Sequence, residues 1–177
     1  MYMKIVIISD IHDNLVNLDK CLEWCGKNKI SKLLCLGDVT NAETLGRLAE
    51  SFNGPIYLVR GNMEIYEESE AKKYNNINYL GRYGLAQFEE IKAGLCHEPK
   101  FVKEVMALDP MLYYVFYGHT HKPWLEKDKG VTIINPGTLG GVFQKATFAV
   151  WNLPEPGQAG EEDEKIELIL LESLKEN

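Results

Sequence analysis

The sequence is poor in histidine, with four in 177 residues. It is also poor in net positive charge: 19 Lys and Arg stand against 26 Asp and Glu, giving −7 at neutral pH. That balance excludes broad binding to phosphate backbones, which needs a basic surface. Long hydrophobic runs are missing too. The apolar stretches are at most seven residues long, against the roughly 20 needed to span a bilayer, so no membrane partner is expected. The N-terminal "MYMKIVIISD" has too short an apolar core for a secretory signal and no small-residue cleavage site. A cytoplasmic location is therefore expected. Cysteine is sparse, with Cys21, Cys25, Cys35 and Cys96. A disulfide framework is not expected in a cytosolic chain of this size. Cys21 and Cys25 stand at i, i+4, a spacing open to a metal, but four reduced and mostly buried thiols are the simpler reading.

What is present is ordinary for a globular protein: 45% hydrophobic and 25% charged residues, enough for one domain with a sizeable core over residues 1–177. Five short apolar runs read as buried strands: 4–9, 32–36, 56–59, 93–96 and 113–117. Helical periodicity lies between the first three. Over 14–28, Leu15, Leu18, Leu22 and Cys25 share one face. Over 42–52, Leu45, Leu48 and Phe52 do the same. Residues 64–74 are more polar and predict a surface helix. Strand–helix–strand–helix–strand is the pattern of a parallel sheet with crossover helices. The C-terminal third changes to strands with short connections, "GVTIINPGT", "KATFAVWNL" and "KIELILLESL". These predict a hairpin or meander closing a second sheet. The Pro/Gly/Glu-rich stretch 154–164 is expected to be a solvated hairpin turn.

Each of the five runs is followed by residues able to bind a metal. Asp10 and His12 follow the first, Asp38 the second, Asn62 the third, His97 the fourth, and His119 and His121 the fifth. Every histidine of the chain is in this set. Strand C-terminal ends are where open α/β folds place their ligand sites. In extended backbone, side chains at i and i+2 point the same way, so Asp10 with His12, and His119 with His121, are expected to aim in pairs. Gly37, Gly61 and Gly118 precede three of the ligands and allow sharp turns or close backbone approach. Seven donors exceed one tetrahedral ion and suit two ions about 3.5–4 Å apart. A set rich in imidazole favours Mn2+, Fe, Co2+, Ni2+ or Zn2+ over Ca2+ or Mg2+. Such a pair also outweighs two carboxylates and a hydroxide, restoring locally the positive charge that the composition lacks.

The motifs D-x-H, G-D, G-N-x-E, H and G-H-x-H, in this order over residues 10–121, resemble those of the calcineurin-like metallophosphoesterases. "INPGT" at 134–138 resembles the family's Asn-Pro-Gly turn. The short chain and its "RGNM" form resemble the small bacterial and archaeal phosphodiesterases. The resemblance implies a four-layer α/β/β/α sandwich of two mixed sheets flanked by helices. It implies a metal-dependent phosphodiesterase acting on a small phosphoester. Asp10, His12 and His121 would hold one divalent ion, Asn62, His97 and His119 the other, and Asp38 would bridge them. A hydroxide between the ions would attack phosphorus in line with the departing alcohol. Phosphomonoesterase or nucleotidase activity is a neighbouring possibility. So is a catalytically silent scaffold, because a retromer-coat subunit resembles this fold; it would not need all seven donors. A homodimer is the one protein partner allowed for.

The chain departs from the family pattern at three places. Met63 stands where many members carry a histidine regarded as the proton donor to the leaving group. Asp13 stands where Gly is usual; its carboxylate is expected to cap the helix beginning near Asn14, with a place at the pocket rim as the alternative. Glu64 stands for the usual Asp, either orienting a histidine or opening a helix. Gly137 and Thr138 can be read as phosphate contacts or as a plain turn, and Arg60 as facing the site or the sheet edge.

Overall fold

Alternation along the first strand sets the layering. The computed structural model describes residues 2–154 and 165–174. In β1 (Tyr2–Ile8), Val6 and Ile8 enter one apolar cluster, while Ile5 and Ile7 enter another. All four are fully buried. A strand apolar on both faces must lie inside a sandwich, and each such side chain contributes about 1.5–3 kcal/mol over leaving it in water.

α1 (Leu15–Lys27) follows, buried through Leu18, Cys21, Leu22 and Cys25, with Asn14 as its cap. Then come β2 (Lys32–Cys35), α2 (Ala42–Ser51) capped by Asn41, and β3 (Ile56–Leu58). The strands β1, β2 and β3 pair in parallel, as the alternating pattern predicts. The segment expected as a surface helix over 64–74 holds only one helical turn, α3 (Glu68–Ala71). Its first residues are pinned elsewhere: the Ile65 N–H donates to the Thr40 carbonyl, and Glu64 and Tyr66 are buried. Bonds to the loop after β2 replace the intrahelical ones.

The next elements are β4 (Ile77–Tyr79), β5 (Tyr83–Phe88), β6 (Ile91–Cys96), α4 (Val102–Leu108), β7 (Tyr114–Phe116), β8 (Trp124–Asp128), β9 (Val131–Asn135), β10 (Thr147–Pro154) and β11 (Lys165–Leu170). One sheet runs β11-β10-β1-β2-β3-β4 and the other β5-β6-β7-β9-β8, both mixed. The expectation that the C-terminal strands close the second sheet is corrected. β10 and β11 form an antiparallel hairpin, but it joins the first sheet beside β1. Trp151 of β10 is fully buried between the sheets against Phe88 and Phe116, a position the second sheet could not offer. The turn expected over 154–164 lies, for residues 155–164, outside the described residues.

Three apolar clusters separate four layers. One lies under α1 and α2, one between the sheets, and one under α4, where Val105 packs with Cys96 and Val115. All four cysteines are free and buried. Among the described residues no helix is long and apolar enough to cross a membrane.

Candidate metal centre

The ends of β1, β2, β3, β6 and β7 open at one edge of the sandwich, and the loops that leave them carry the seven expected residues. The structure brings all seven together. The expected reason for the pairing is corrected, however. The strands end at Ile8 and Phe116, before the motifs begin. Asp10, His12, Asp38, His119 and His121 have φ of 55°, 48°, 52°, 69° and 58°. These are left-handed turns, not extended backbone, and they cost non-glycine residues conformational energy. Strain of this kind persists only where surrounding contacts fix it. Here the Asp10 N–H donates to the Gly37 carbonyl and the His12 N–H to the Asp38 carbonyl, 3.0 Å each.

Two glycines are required by close approach. A Cβ at Gly61 would stand 2.1 Å from Asp38 Oδ1, and one at Gly118 would stand 1.9 Å from Ser9 Oγ. Each is a point where one site loop rests on another.

Asp10 is the innermost donor and fully buried. Its Oδ2 accepts from Ser9 Oγ (2.6 Å) and from the His119 N–H (3.0 Å). Its Oδ1 has no hydrogen-bond partner, yet lies 3.2 Å from His121 Nε2 and 3.7 Å from His12 Nε2. Those two nitrogens are 3.1 Å apart. On the other side, His97 Nε2 is 3.2 Å from Asp38 Oδ2 and 3.0 Å from Asn62 Oδ1. His119 Nδ1 is 2.8 Å from the same amide oxygen. Asp38 Oδ2 is also 3.9 Å from His12 Nε2, so Asp38 faces both groups. Asp10 does too, being common to the clusters Asp10–His12–His121 and Asp10–Asp38–His97.

The back sides of two rings fix what their front sides offer. His97 Nδ1 faces the Leu36 carbonyl at 2.7 Å, and His121 Nδ1 faces the Val142 carbonyl at 3.0 Å. A carbonyl only accepts, so both Nδ1 atoms carry the proton. In the neutral rings each Nε2 then presents a lone pair to oxygens that are also acceptors. Acceptors crowded against acceptors, with a buried carboxylate oxygen left over, need a proton or a cation between them. The donor set of imidazole, carboxylate and amide oxygen fits divalent transition metals. The protonic answer follows from the electrostatics of the cluster. Hydrogen bonding to Asp10 raises the His12 pKa against the opposing effect of burial. Burial lowers that of His97, but Asp38 and Asp10 outweigh it and the net shift is upward. Burial raises that of Asp38, and the two histidines overcome it to hold the carboxyl low.

Asp13 and Glu64 take other places than those expected. Asp13 does not cap α1, whose cap is Asn14. Its Oδ1 accepts from Thr44 Oγ1 (2.7 Å) and the Asn41 N–H (3.2 Å), tying the His12 loop to the start of α2. Glu64 neither touches a histidine through a hydrogen bond nor opens a helix. Its Oε1 accepts from the Val39 N–H at 3.3 Å, and its burial raises its pKa. Gly137 and Thr138 are a structural turn: the Thr138 hydroxyl donates to the Asp10 carbonyl at 2.9 Å, and the Gly137 N–H to Asn135 Oδ1 at 2.8 Å. Arg60 reaches the Glu64 carbonyl (3.4 Å) and Tyr79 rather than the donor cluster. Met63 is half exposed at the site, and its N–H donates to Asp38 Oδ1 at 2.8 Å.

Sequence reasoning missed Ser9, Val142 and Phe143. Ser9 adjoins a marked residue and could have been noticed as a hydroxyl at a strand end. Val142 acts through its carbonyl, which no side chain advertises. The cavity over the donors has a volume of about 500 Å3 and is walled by Met63, Thr120, Val142, Phe143 and Gln144 beside the histidines.

Known proteins resemble the chain in sequence and in fold. A phosphodiesterase of Methanocaldococcus jannaschii is 29% identical over 144 residues, 78% of this chain and 86% of its own length. The solved structure of an archaeal phosphodiesterase superposes with a TM-score of 0.78 at 24% identity, covering 95% of this chain and 99% of that one. Vacuolar Protein Sorting 29 from Cryptosporidium parvum has the same fold, with a TM-score of 0.66 at 20% identity over 96% and 98% of the two chains. The family model for the calcineurin-like phosphoesterase superfamily domain matches residues 3–155. By sequence and by fold, the chain belongs to the calcineurin-like phosphoesterase superfamily, alongside its small archaeal and bacterial members.

Proposed function

We propose that the protein is a phosphodiesterase that works with two divalent transition-metal ions. The observation that carries the reading is the meeting of acceptors: the buried, unpartnered Asp10 Oδ1 stands 3.2 Å from His121 Nε2, which stands 3.1 Å from His12 Nε2. Asp10, His12 and His121 would hold one ion and Asn62, His97 and His119 the other, with Asp38 facing both groups. When bound, the ions supply Lewis-acid charge for the phosphate and acidify water to a nucleophile near neutral pH.

The chain's own residues do the rest. Ser9 and the His119 N–H aim the Asp10 carboxylate. The Leu36 and Val142 carbonyls fix the tautomers of His97 and His121, so the lone pairs face inward. Positioning of this kind dominates phosphoryl transfer. Met63 lines the cavity but cannot donate a proton. Leaving groups must therefore depart without help from a histidine at that position, which favours esters of acidic alcohols over simple alkyl esters.

The test is hydrolysis of an aryl phosphodiester by protein loaded with Mn2+ or Ni2+. Turnover is expected, with loss on chelation. His97→Ala is expected to abolish it while the circular dichroism spectrum stays native. Unchanged turnover in that variant rejects the assignment. A chain that hydrolyses neither diesters nor monoesters, yet captures a stoichiometric protein partner, would instead be a scaffold; the intact donor set argues against it.

A further inference from the structure

Phe143 is 90% exposed, the most exposed of the large apolar side chains among the described residues. Its φ is +62°, a left-handed conformation that a bulky residue rarely adopts. Neither packing nor backbone preference accounts for a phenylalanine there. Yet the chain leading into it is fixed. The carbonyl of the preceding residue, Val142, accepts from His121 Nδ1. The loop base is held where Gly140 N–H donates to the Asp10 carbonyl (2.9 Å) and Asn14 Nδ2 to the Gly140 carbonyl (2.9 Å). The Phe143 ring lies 5.9 Å from the His121 ring, 23° from parallel, and lines the same cavity as the donors. Half-exposed Met63 lines it as well.

We infer that Phe143 is a stacking platform for the organic part of the substrate, so that the site takes phosphoesters of planar aromatic alcohols or nucleosides. The inference rests on the phosphoesterase reading of the donor cluster. A phosphate held at His121 puts its ester substituent one ring away from Phe143. A flat π face there meets a base or aryl ring by stacking, which tolerates any base and adds apolar contact. Aliphatic esters gain nothing comparable. Asp38, a carboxylate lining the cavity, belongs to the donor cluster.

Adenosine 5′-monophosphate and ribose 5-phosphate share phosphate and sugar and differ in the base alone. Calorimetric titration of the manganese-loaded protein compares them without relying on turnover. The wild-type chain is expected to bind the nucleotide about tenfold more tightly, the size of one base-stacking contact. Phe143→Ala should bring the two affinities together, and Phe143→Trp should restore the preference. Hydrolysis by the wild-type chain of bis(2,2,2-trifluoroethyl) phosphate, which has no ring, separates the two readings: its absence would count against the phosphoesterase, not the platform. Equal affinities in the wild type, no binding of either ligand, or a preference that survives Phe143→Ala overturns the platform.

Discussion

A histidine between carboxylates competes for protons and for metal with the same lone pair. His12 and His97 both have raised pKa values in the folded chain, His12 chiefly through Asp10, and His97 through Asp38 and Asp10 against its burial. A raised folded pKa contributes stability that is complete below the unfolded value of about 6.5 and is lost as pH rises through the folded value. The metal-free protein should therefore melt at a higher temperature at pH 6 than at pH 8. Bound ions displace those protons, so with Mn2+ the order should reverse. Melting curves in chelator and in metal at the two pH values check this, and a metal-free protein more stable at pH 8 would contradict it. These residues were readable in the sequence because all four histidines fell at strand ends. Their left-handed backbone was not. Asp and His do not mark positive φ as glycine does, so the extended-strand rule put Asp10 with His12 for the wrong reason, and it paired His119 with His121 although these face different groups of donors.

At the level of elements, short polar ties hold the site loops together. Asp13 joins the loop after β1 to the start of α2 through Thr44 and the Asn41 N–H. Asp13→Ala should cost about 1–3 kcal/mol by leaving those donors unmatched, a drop of ~2–4 °C in melting temperature for each kcal/mol. Asp13→Asn keeps an acceptor and should lose less. Glu64 joins the loop carrying Asn62 to the Val39 N–H beside Asp38. Glu64→Ala should weaken metal binding tenfold or more, in the range seen for groups behind a metal's ligands, with Glu64→Gln nearer to wild type; equal metal affinity in all three chains would show the tie to be irrelevant to the site. The strands that apolar runs announce are the buried ones. β8 escaped because all five residues from Trp124 to Asp128 are exposed, which leaves no alternation to see. β4 has three residues, too few for a period. The misread helix over 64–74 failed because its polarity reflected bonds to a neighbouring loop, a tertiary fact that local pattern does not contain.

For the whole molecule, the sequence announced layers and order but not which sheet receives the last two strands. That choice is made by Trp151, whose ring needs Phe88 and Phe116 across the sandwich. The layering can be probed through the cysteines, which sample two of its three cores. Cys21, Cys25 and Cys35 lie under α1 and α2, and Cys96 lies under α4. Burial pushes the thiols of Cys35 and Cys96 up to about 12, and the thiolate is the reactive form. Alkylation at pH 8 must therefore wait for opening. If the sandwich opens as one unit, all four thiols should label at one rate. Manganese at about 100 times its dissociation constant stabilises the folded state by ~2.7 kcal/mol, so it should slow all four about a hundredfold when closing outpaces labelling. The donor cluster touches Cys96's strand through His97 and Cys35's strand through Asp38. A slowing of Cys35 without Cys96 would mean that the α4 layer opens independently of the centre it helps to build. Mass-resolved labelling of the four positions decides between one cooperative unit and two.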